Sequence, residues 1–391
     1  AASAAAAARG RGRGGSYPSL LSREPPASRA PVAAEAKGPP GAEEGAPHRF
    51  RGFAAARRDS LGANGDRELP EIVVADEDEQ LRVPAPGAAE VVGAGGTLRT
   101  ASGHDYVVER HLGSGAFGHV WLCRHEGELR AVKVVPMSGA SDVAKEVELS
   151  RSGAKLGGVG YGHVPKFFEA AEGSLVGGSP DPVLMIVMEY IDGVTLGKAL
   201  TGQKLPEEIV KVISVDLLRT LARLHEVNFV HRDVKPDNII LNRHGFAYLC
   251  DFGVSRFVKG CQEDESVGEV VGTPMYMAPE VQLGRGDCRV DVWSAGMTLF
   301  EMLNGSNPIL DELGESAHPA MYLQHLAMMP APSVRRLKVS NEMKKMLHDC
   351  LQRNPDERAS AKELLRRRGM RVGKLERSYT AKWCQERMHR E

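Results

Sequence analysis

HRDVKPDN, from His231 to Asn238, places two Asp, an Arg, a Lys and an Asn within eight positions. A second short run, DFG at Asp251 to Gly253, sets another Asp 18 residues beyond Asp233. Charged groups this dense are costly to bury unless they are paired or at work. What they do depends on what the flanking sequence builds around them.

Upstream, GSGAFGHV spans Gly113 to Val120. Glycines let backbone N–H groups approach phosphate oxygens that side chains would block. A dinucleotide-binding turn would lead into a helix, with an acid about 20 residues on. Here the chain continues as HVWLCRHE, a turn at Gly127, and LRAVKVV. β-Branched and aromatic residues in short runs between Gly-rich turns predict strands. The glycines therefore belong to a hairpin able to lie over a nucleotide. Lys133, 20 residues after Gly113, sits inside an apolar strand where its charge needs an anion. Phosphate oxygens supply one, and an acid on the next helix would hold the ammonium in place. DVAKEVELSRSGAKLG has helical spacing, VLMIVMEY reads as a buried strand, and beyond Leu196 long helical patterns dominate.

With these surroundings the chain resembles the eukaryotic protein kinases, serine/threonine type, over roughly Tyr106 to Arg368. The family's motifs occur in its order: GSGAFG, AVK, HRDVKPDN, DFG, APE at Ala278 to Glu280, DVWSAG at Asp291 to Gly296, and Arg358. The resemblance implies an α+β, two-lobed fold, with a small β-rich lobe and a larger α-helical lobe behind a disordered N-terminal tail. It implies ATP and Mg²⁺ as cofactors and protein substrates as partners.

Site roles follow from the same resemblance. Asp233 is expected as the catalytic base, with Lys235 beside the transferring phosphate and Thr273 hydrogen-bonded to both. Asn238 and Asp251 are expected to hold Mg²⁺, and Lys133 the α- and β-phosphates. Both Glu146 and Glu148 qualify as the helix acid that pairs with Lys133; KEVEL resembles the family's run best with Glu146 as that acid. Leu112, Gly113, Ser114, Gly115, Ala116, Phe117 and Gly118 would cover the nucleotide. Val120 and Ala131 would lie on one adenine face and Ile240 on the other. Met188 would stand at the back of the pocket, and Glu189 and Ile191 would offer backbone hydrogen bonds. Glu280 with Arg358 is expected as a structural ion pair, and Asp291 as a cap on the catalytic-loop backbone.

Lys235 in VKPDN and the segment GTPMYMAPE resemble Ser/Thr rather than Tyr kinases. Asp237 and Glu301 stand where family members that prefer basic substrates carry acids. The loop after DFG carries Glu263, Asp264, Glu265 and Glu269 near Ser266. Either a phosphate on Ser266 or one of those carboxylates is expected to answer Arg232; in the opposing reading the same acids repel a phosphate and serve only solubility.

Composition bounds the rest. With 391 residues, a net charge of −1 and 5% aromatics, nothing argues for nucleic acid. Residues 1–100 are rich in Ala, Gly, Pro and Arg without a periodic apolar face, and are read as a disordered tail. The kinase-like domain is assigned to 106–369 and a basic C-terminal tail to 370–391, free either to dock or to fray. Six widely spaced cysteines form no C-x-x-C pair and read as unpaired thiols of the cytoplasm or nucleus. The basic, Ser- and Arg-bearing start resembles an organelle transit peptide, though its Gly and Pro content matches poorly. No apolar run is long enough to span a membrane, and nothing specifies an oligomeric state.

Overall fold

A computed structural model describes residues 94–115, 118–137, 163–176, 181–200, 202–258, 270–284, 286–314, 317–367 and 369–388. Most of the expected N-terminal tail, 1–93, lies outside them. The tail assignment ends too late, however. Thr97–Thr100 forms strand β1, which pairs antiparallel with two neighbours. Its alternation of intermediate, buried, exposed and buried positions is that of a half-buried strand, and Leu98 is 1% exposed.

The small lobe is built from β1, β2 (Asp105–Gly115), β3 (Gly118–His125), β4 (Glu128–Pro136), β5 (Phe167–Leu175) and β6 (Val183–Glu189). They are hydrogen-bonded in the order β1-β2-β3-β4-β6-β5, with β1 also against β5. Period-2 alternation sorts β3, β4 and β6 into two faces. One face sends Trp121, Cys123, Val132, Met185 and Val187 into a small apolar core. The register places Val120 opposite Lys133, and Lys133 opposite Ile186; Ala131 faces Leu122 and Met188. The second face therefore gathers Val120, Ala131, Lys133 and Met188 on one surface.

The large lobe follows β7 (Gly193–Thr195) and α1 (Leu196–Leu200). Its centre is α2 (Glu207–Glu226) against α3 (Arg289–Asn304). α2 is dense in β-branched residues, which cost a helix roughly 0.5 kcal/mol each. Ile209, Val210, Val212, Ile213 and Val215 are all 0% exposed. Full burial of such a side chain contributes about 1.5–3 kcal/mol, so tertiary packing decides for helix. Glu207 and Glu208 also suit the positive end of the helix dipole. Between α2 and α3 lie β8 (Phe229–Val230), β9 (Ile239–Asn242), β10 (Ala247–Leu249) and β11 (Arg256–Phe257). β10-β9-β7 form one small sheet and β11-β8 another. The lobe ends with α4 (Pro308–Leu313), α5 (Pro319–Met328), α6 (Asn341–Cys350), α7 (Ala361–Leu365) and α8 (Lys374–Met388). α8 occupies most of the expected basic tail and packs on α2, β7 and β9.

Cys123, Cys250, Cys350 and Cys384 are free, as the spacing suggested, but Cys288 is disulfide-bonded. No helix among the described residues is long and apolar enough to cross a membrane.

Glu280 and Arg358 form a buried fork-to-fork pair, with Nη1 to Oε1 at 2.6 Å and Nη2 to Oε2 at 3.0 Å. Arg358 also donates to the carbonyls of Gln352 and Arg289. Every charged atom thus has a partner, which fixes the segment Pro279–Leu283 to the chain just before α7. Arg358→Met strands a buried carboxylate and should destabilise the domain by about 3–5 kcal/mol in urea unfolding; Glu280→Gln together with Arg358→Met should cost clearly less than the single change.

Candidate functional site

The site lies where the second face of the β3-β4-β6 sheet meets the β8-to-β10 region. Gly113 pairs with Val120, Ser114 with His119 and Gly115 with Gly118, so the glycine run is the closing end of the β2–β3 hairpin. Ala116, Phe117 and the expected Lys133 partner Glu146 lie outside the described residues. Gly118 has φ +142°, and a Cβ there would sit 2.1 Å from the Val134 carbonyl oxygen. Only glycine permits that approach, which brings the hairpin end onto β4 one residue from Lys133.

Lys133 is 6% exposed. Its Nζ lies 3.0 Å from Asp251 Oδ1, a contact that the sequence reading had not assigned. This pairing and burial have opposing effects on the carboxyl. The Lys133 charge wins and holds Asp251 down to about 2, well below 3.8. Asp251 has φ 62° and Arg232 φ 68°, both in the left-handed region that costs a non-glycine residue about 1 kcal/mol or more. Two strained residues this close to the charge cluster mark a backbone set by its surroundings.

Those surroundings begin with Asp291, which is 0% exposed. It accepts the backbone N–H of His231 and of Arg232, each at 2.8 Å, and His225 Nε2 at 2.9 Å. Burial alone would raise its pKa; the hydrogen bond from His225 and the charges around it hold it below the usual value. The cap expected at Asp291 is thus present, with His225 as an addition. His231 is fully buried, and burial pushes its pKa down. A neutral ring fits both of its contacts: Nε2–H donates to the Cys250 carbonyl at 3.2 Å, and Nδ1 accepts Asp233 N–H at 3.3 Å. Its edge meets Phe252 with centroids 4.9 Å apart. Burial also pushes the Cys250 thiol up, so it is not a ready nucleophile.

Asp233, Lys235, Asn238 and Thr273 converge. Asp233 Oδ1 accepts Thr273 Oγ1–H at 2.7 Å and Thr273 N–H at 3.0 Å. Its Oδ2 accepts Asn238 Nδ2–H at 2.9 Å and faces Lys235 Nζ at 2.8 Å. Lys235 in turn donates to Thr273 Oγ1 at 2.7 Å. Asn238 Nδ2 also bonds the Asp233 carbonyl at 2.8 Å, which turns its amide oxygen the other way. Cys250 N donates to the Asn238 carbonyl at 2.8 Å, so Asn238 and Asp251 flank the mouth of the β9–β10 hairpin.

Residues 106–368 match the protein kinase domain. The chain belongs to the protein kinase family. One relative is the serine/threonine-protein kinase dst1 of Dictyostelium discoideum, 32% identical over 268 residues, which are 66% of this chain. The alignment covers 34% of that relative, so the chain spans about a third of the length of the curated protein it matches. The kinase family has a two-lobed fold and uses ATP with a divalent metal, typically Mg²⁺, which this site can be tested against. Among the described residues no group of three or more His, Cys, Asp or Glu could hold a metal ion unaided. Asn238 and Asp251 are a hard-oxygen pair, and Asp251 is held ionised. Mg²⁺ is commonly bound by one or two such groups together with phosphates and water, so the donor set fits a metal that arrives with nucleotide.

Val120, Ala131 and Met188 share the Lys133 face of the sheet by register. Ala131 and Ile191 are each 7% exposed, and Leu112, Val120, Met188 and Ile240 are half-buried. Glu189 N–H is given to the Lys166 carbonyl at 2.7 Å and so is not offered to a ligand. Sequence reasoning missed Tyr276, whose hydroxyl donates to Glu301 Oε2 at 2.6 Å. Burial raises the Glu301 pKa, and nearby Asp237 adds to the rise.

A carboxyl whose pKa is depressed in the folded state stabilises it above the unfolded value of 3.8; that contribution is lost as pH falls through about 2. Asp251 is 42% exposed at its side chain, so solvent screens part of the effect, leaving about 1 kcal/mol or less. The stability gap between the natural protein and Lys133→Met, followed by urea unfolding, should be widest above about pH 4 and narrow steadily toward pH 2.

Proposed function

We propose that this chain is a protein serine/threonine kinase that transfers the γ-phosphoryl group of ATP to Ser and Thr hydroxyls. The observation that carries the reading is the convergence of Thr273, Lys235 and Asn238 on the one carboxylate of Asp233. With its oxygens fixed from three sides, Asp233 can orient a substrate hydroxyl and accept its proton as the oxygen attacks phosphorus. Lys235 would face the transferring group, and the leaving oxygen would depart on ADP. Lys133 would exchange Asp251 for the α- and β-phosphates. A divalent metal held by Asn238 and Asp251 would neutralise phosphate charge. Val120 and Ala131 on one side and Ile240 on the other would sandwich the adenine. Glu189 carbonyl and Ile191 N–H would read its edge. Ser/Thr rather than Tyr acceptors are supported by Lys235, by Thr273 and by the named activity of the relative.

Labelling of a degenerate Ser/Thr/Tyr peptide array with ATP and Mg²⁺ tests this directly. Ser and Thr peptides should be labelled, and Asp233→Asn should lose at least about 100-fold in rate while still binding Mg·ATP. Label confined to Tyr peptides, or retained in Asp233→Asn, would refute the assignment.

Asp237 is exposed and Glu301 stands close to it, which favours peptides with a basic residue upstream of the acceptor. Because the Glu301 pKa is raised, it loses its charge at a higher pH than an ordinary Glu. The ratio of kcat/KM for Arg-bearing over Ala-bearing peptides should therefore fall with decreasing pH, and begin to fall at a higher pH than the titration of an ordinary Glu would set. Glu301→Gln should flatten that dependence.

A further inference from the structure

The kinase match ends at residue 368, but the folded unit does not. α8 lies across the back of the large lobe, on α2, β7 and β9, behind the strand that carries Ile240. Its sequence, KLERSYTAKWCQERM, is polar, yet Thr380 and Cys384 are 0% exposed and Trp383 7%. These three fall at i, i+3 and i+4, one stripe of a helix.

The contacts along that stripe reach the site's own framework. Cys384 Sγ donates to the Leu241 carbonyl at 3.0 Å, and Gln385 Nε2 donates to the Arg243 carbonyl at 2.8 Å. Both acceptors lie in or just after β9. Gly245, in the turn from β9 to β10, has φ +80°, and a Cβ there would lie 2.7 Å from the Arg377 carbonyl oxygen and 2.9 Å from Ala381 N. The turn is shaped to let the helix backbone pass.

Arg377 is the centre of the contact. It forks onto Asp216 with Nη1 to Oδ2 and, at 2.9 Å, Nη2 to Oδ1. It also donates to the Gly245 carbonyl at 2.8 Å and stacks on Phe246 with its guanidinium 4.2 Å from the ring centre. Asp216, in α2, is 0% exposed and accepts Ala247 N–H of β10 at 3.1 Å. It faces His163 Nδ1 at 3.7 Å, and the His163 carbonyl accepts Leu249 N–H at 2.9 Å. Leu249 is two residues from Asp251. Arg219, on the same helix, reaches Asp216 Oδ1 only at 3.7 Å, so the close two-pronged partner of this fully buried carboxylate is Arg377.

We propose that α8 is a working part of the nucleotide site, and that Arg377, through Asp216, is a positioning residue for the β9–β10 hairpin. The hairpin bears Ile240 on one strand and leads into Asp251 from the other. Its front faces the cleft and its back rests on α8. The inference rests on the kinase reading for its meaning, but not for its measurement.

Three variants test it, with hydrogen exchange and calorimetric binding of Mg·ATP as readouts that do not need phosphoryl transfer. Arg377→Leu removes the fork. Trp383→Ala loosens the same helix without stranding the Asp216 charge, and so serves if the first variant folds poorly. Expected in both is faster exchange over 374–388 and over 239–250, with Mg·ATP bound at least threefold more weakly. Arg377→Lys, which keeps the charge but not the two-pronged geometry, should fall between natural protein and Arg377→Leu. Fast exchange in the helix with hairpin exchange and affinity within twofold of the natural protein would overturn the positioning role. A helix that stays protected in both variants would overturn the anchoring role of Arg377. Failure of the kinase reading would show separately, as absent peptide labelling by a natural protein whose hairpin still responds to the variants.

Discussion

One carboxylate without solvent contact governs the arrangement of the site. Asp291 gathers the N–H groups of His231 and Arg232 and the ring of His225 around a charge that has no water to stabilise it. A buried anion is tolerable only if its hydrogen bonds are complete, so the loop has little freedom to leave. With His231 and Arg232 held, the chain enters its left-handed bend at Arg232 and presents Asp233 toward Thr273 and Lys235. The strain at Arg232 and Asp251 is sustained by this network and by the Lys133 contact. The large lobe thus supplies rigidity at the loop, and the small lobe contributes the Lys133 ammonium to it.

Much of this was legible in the chain. The short apolar runs of β3, β4 and β6, each with three consecutive buried residues, mark them as buried strands, and the register then dictates which side chains share the cleft. The offsets from Asp233 to Lys235 and Asn238 are short enough for the local backbone to bring them together. The Glu280–Arg358 pair and the Asp291 cap were readable only through family resemblance, because partners 78 and about 60 residues apart leave no local trace.

Other features were hidden for definite reasons. The contact between Lys133 and Asp251 joins residues 118 apart, and each had been assigned to a different ligand. The hydroxyl of Tyr276 meets Glu301 25 residues away, and no local pattern in the sequence announces that contact. β1 was absorbed into the tail because four residues of alternation are too few to stand out against a low-complexity flank. α8 was obscured by its polarity: a three-residue apolar stripe does not announce burial. The better signal was Asp216, an acid in the middle of VISVDLL, where helical spacing points it inward.

The ion pair between Arg377 and Asp216 spans 161 residues of sequence, and this separation bears on how the protein is made. During synthesis the chain emerges from its N-terminal end, so α2 and the β9–β10 hairpin exist well before α8. Until then Asp216 has Arg219 at 3.7 Å but not the fork from Arg377, and the bed under Thr380, Trp383 and Cys384 is open. Contacts this distant are also slow to form, since a long loop must close before they contribute. The small lobe, whose strands pair mainly with near neighbours, can assemble early. The large lobe is complete only when residues 374–388 have been released. Its half-finished form presents an incompletely paired carboxylate and a bare apolar groove together, a combination suited to retention by chaperones until α8 has docked.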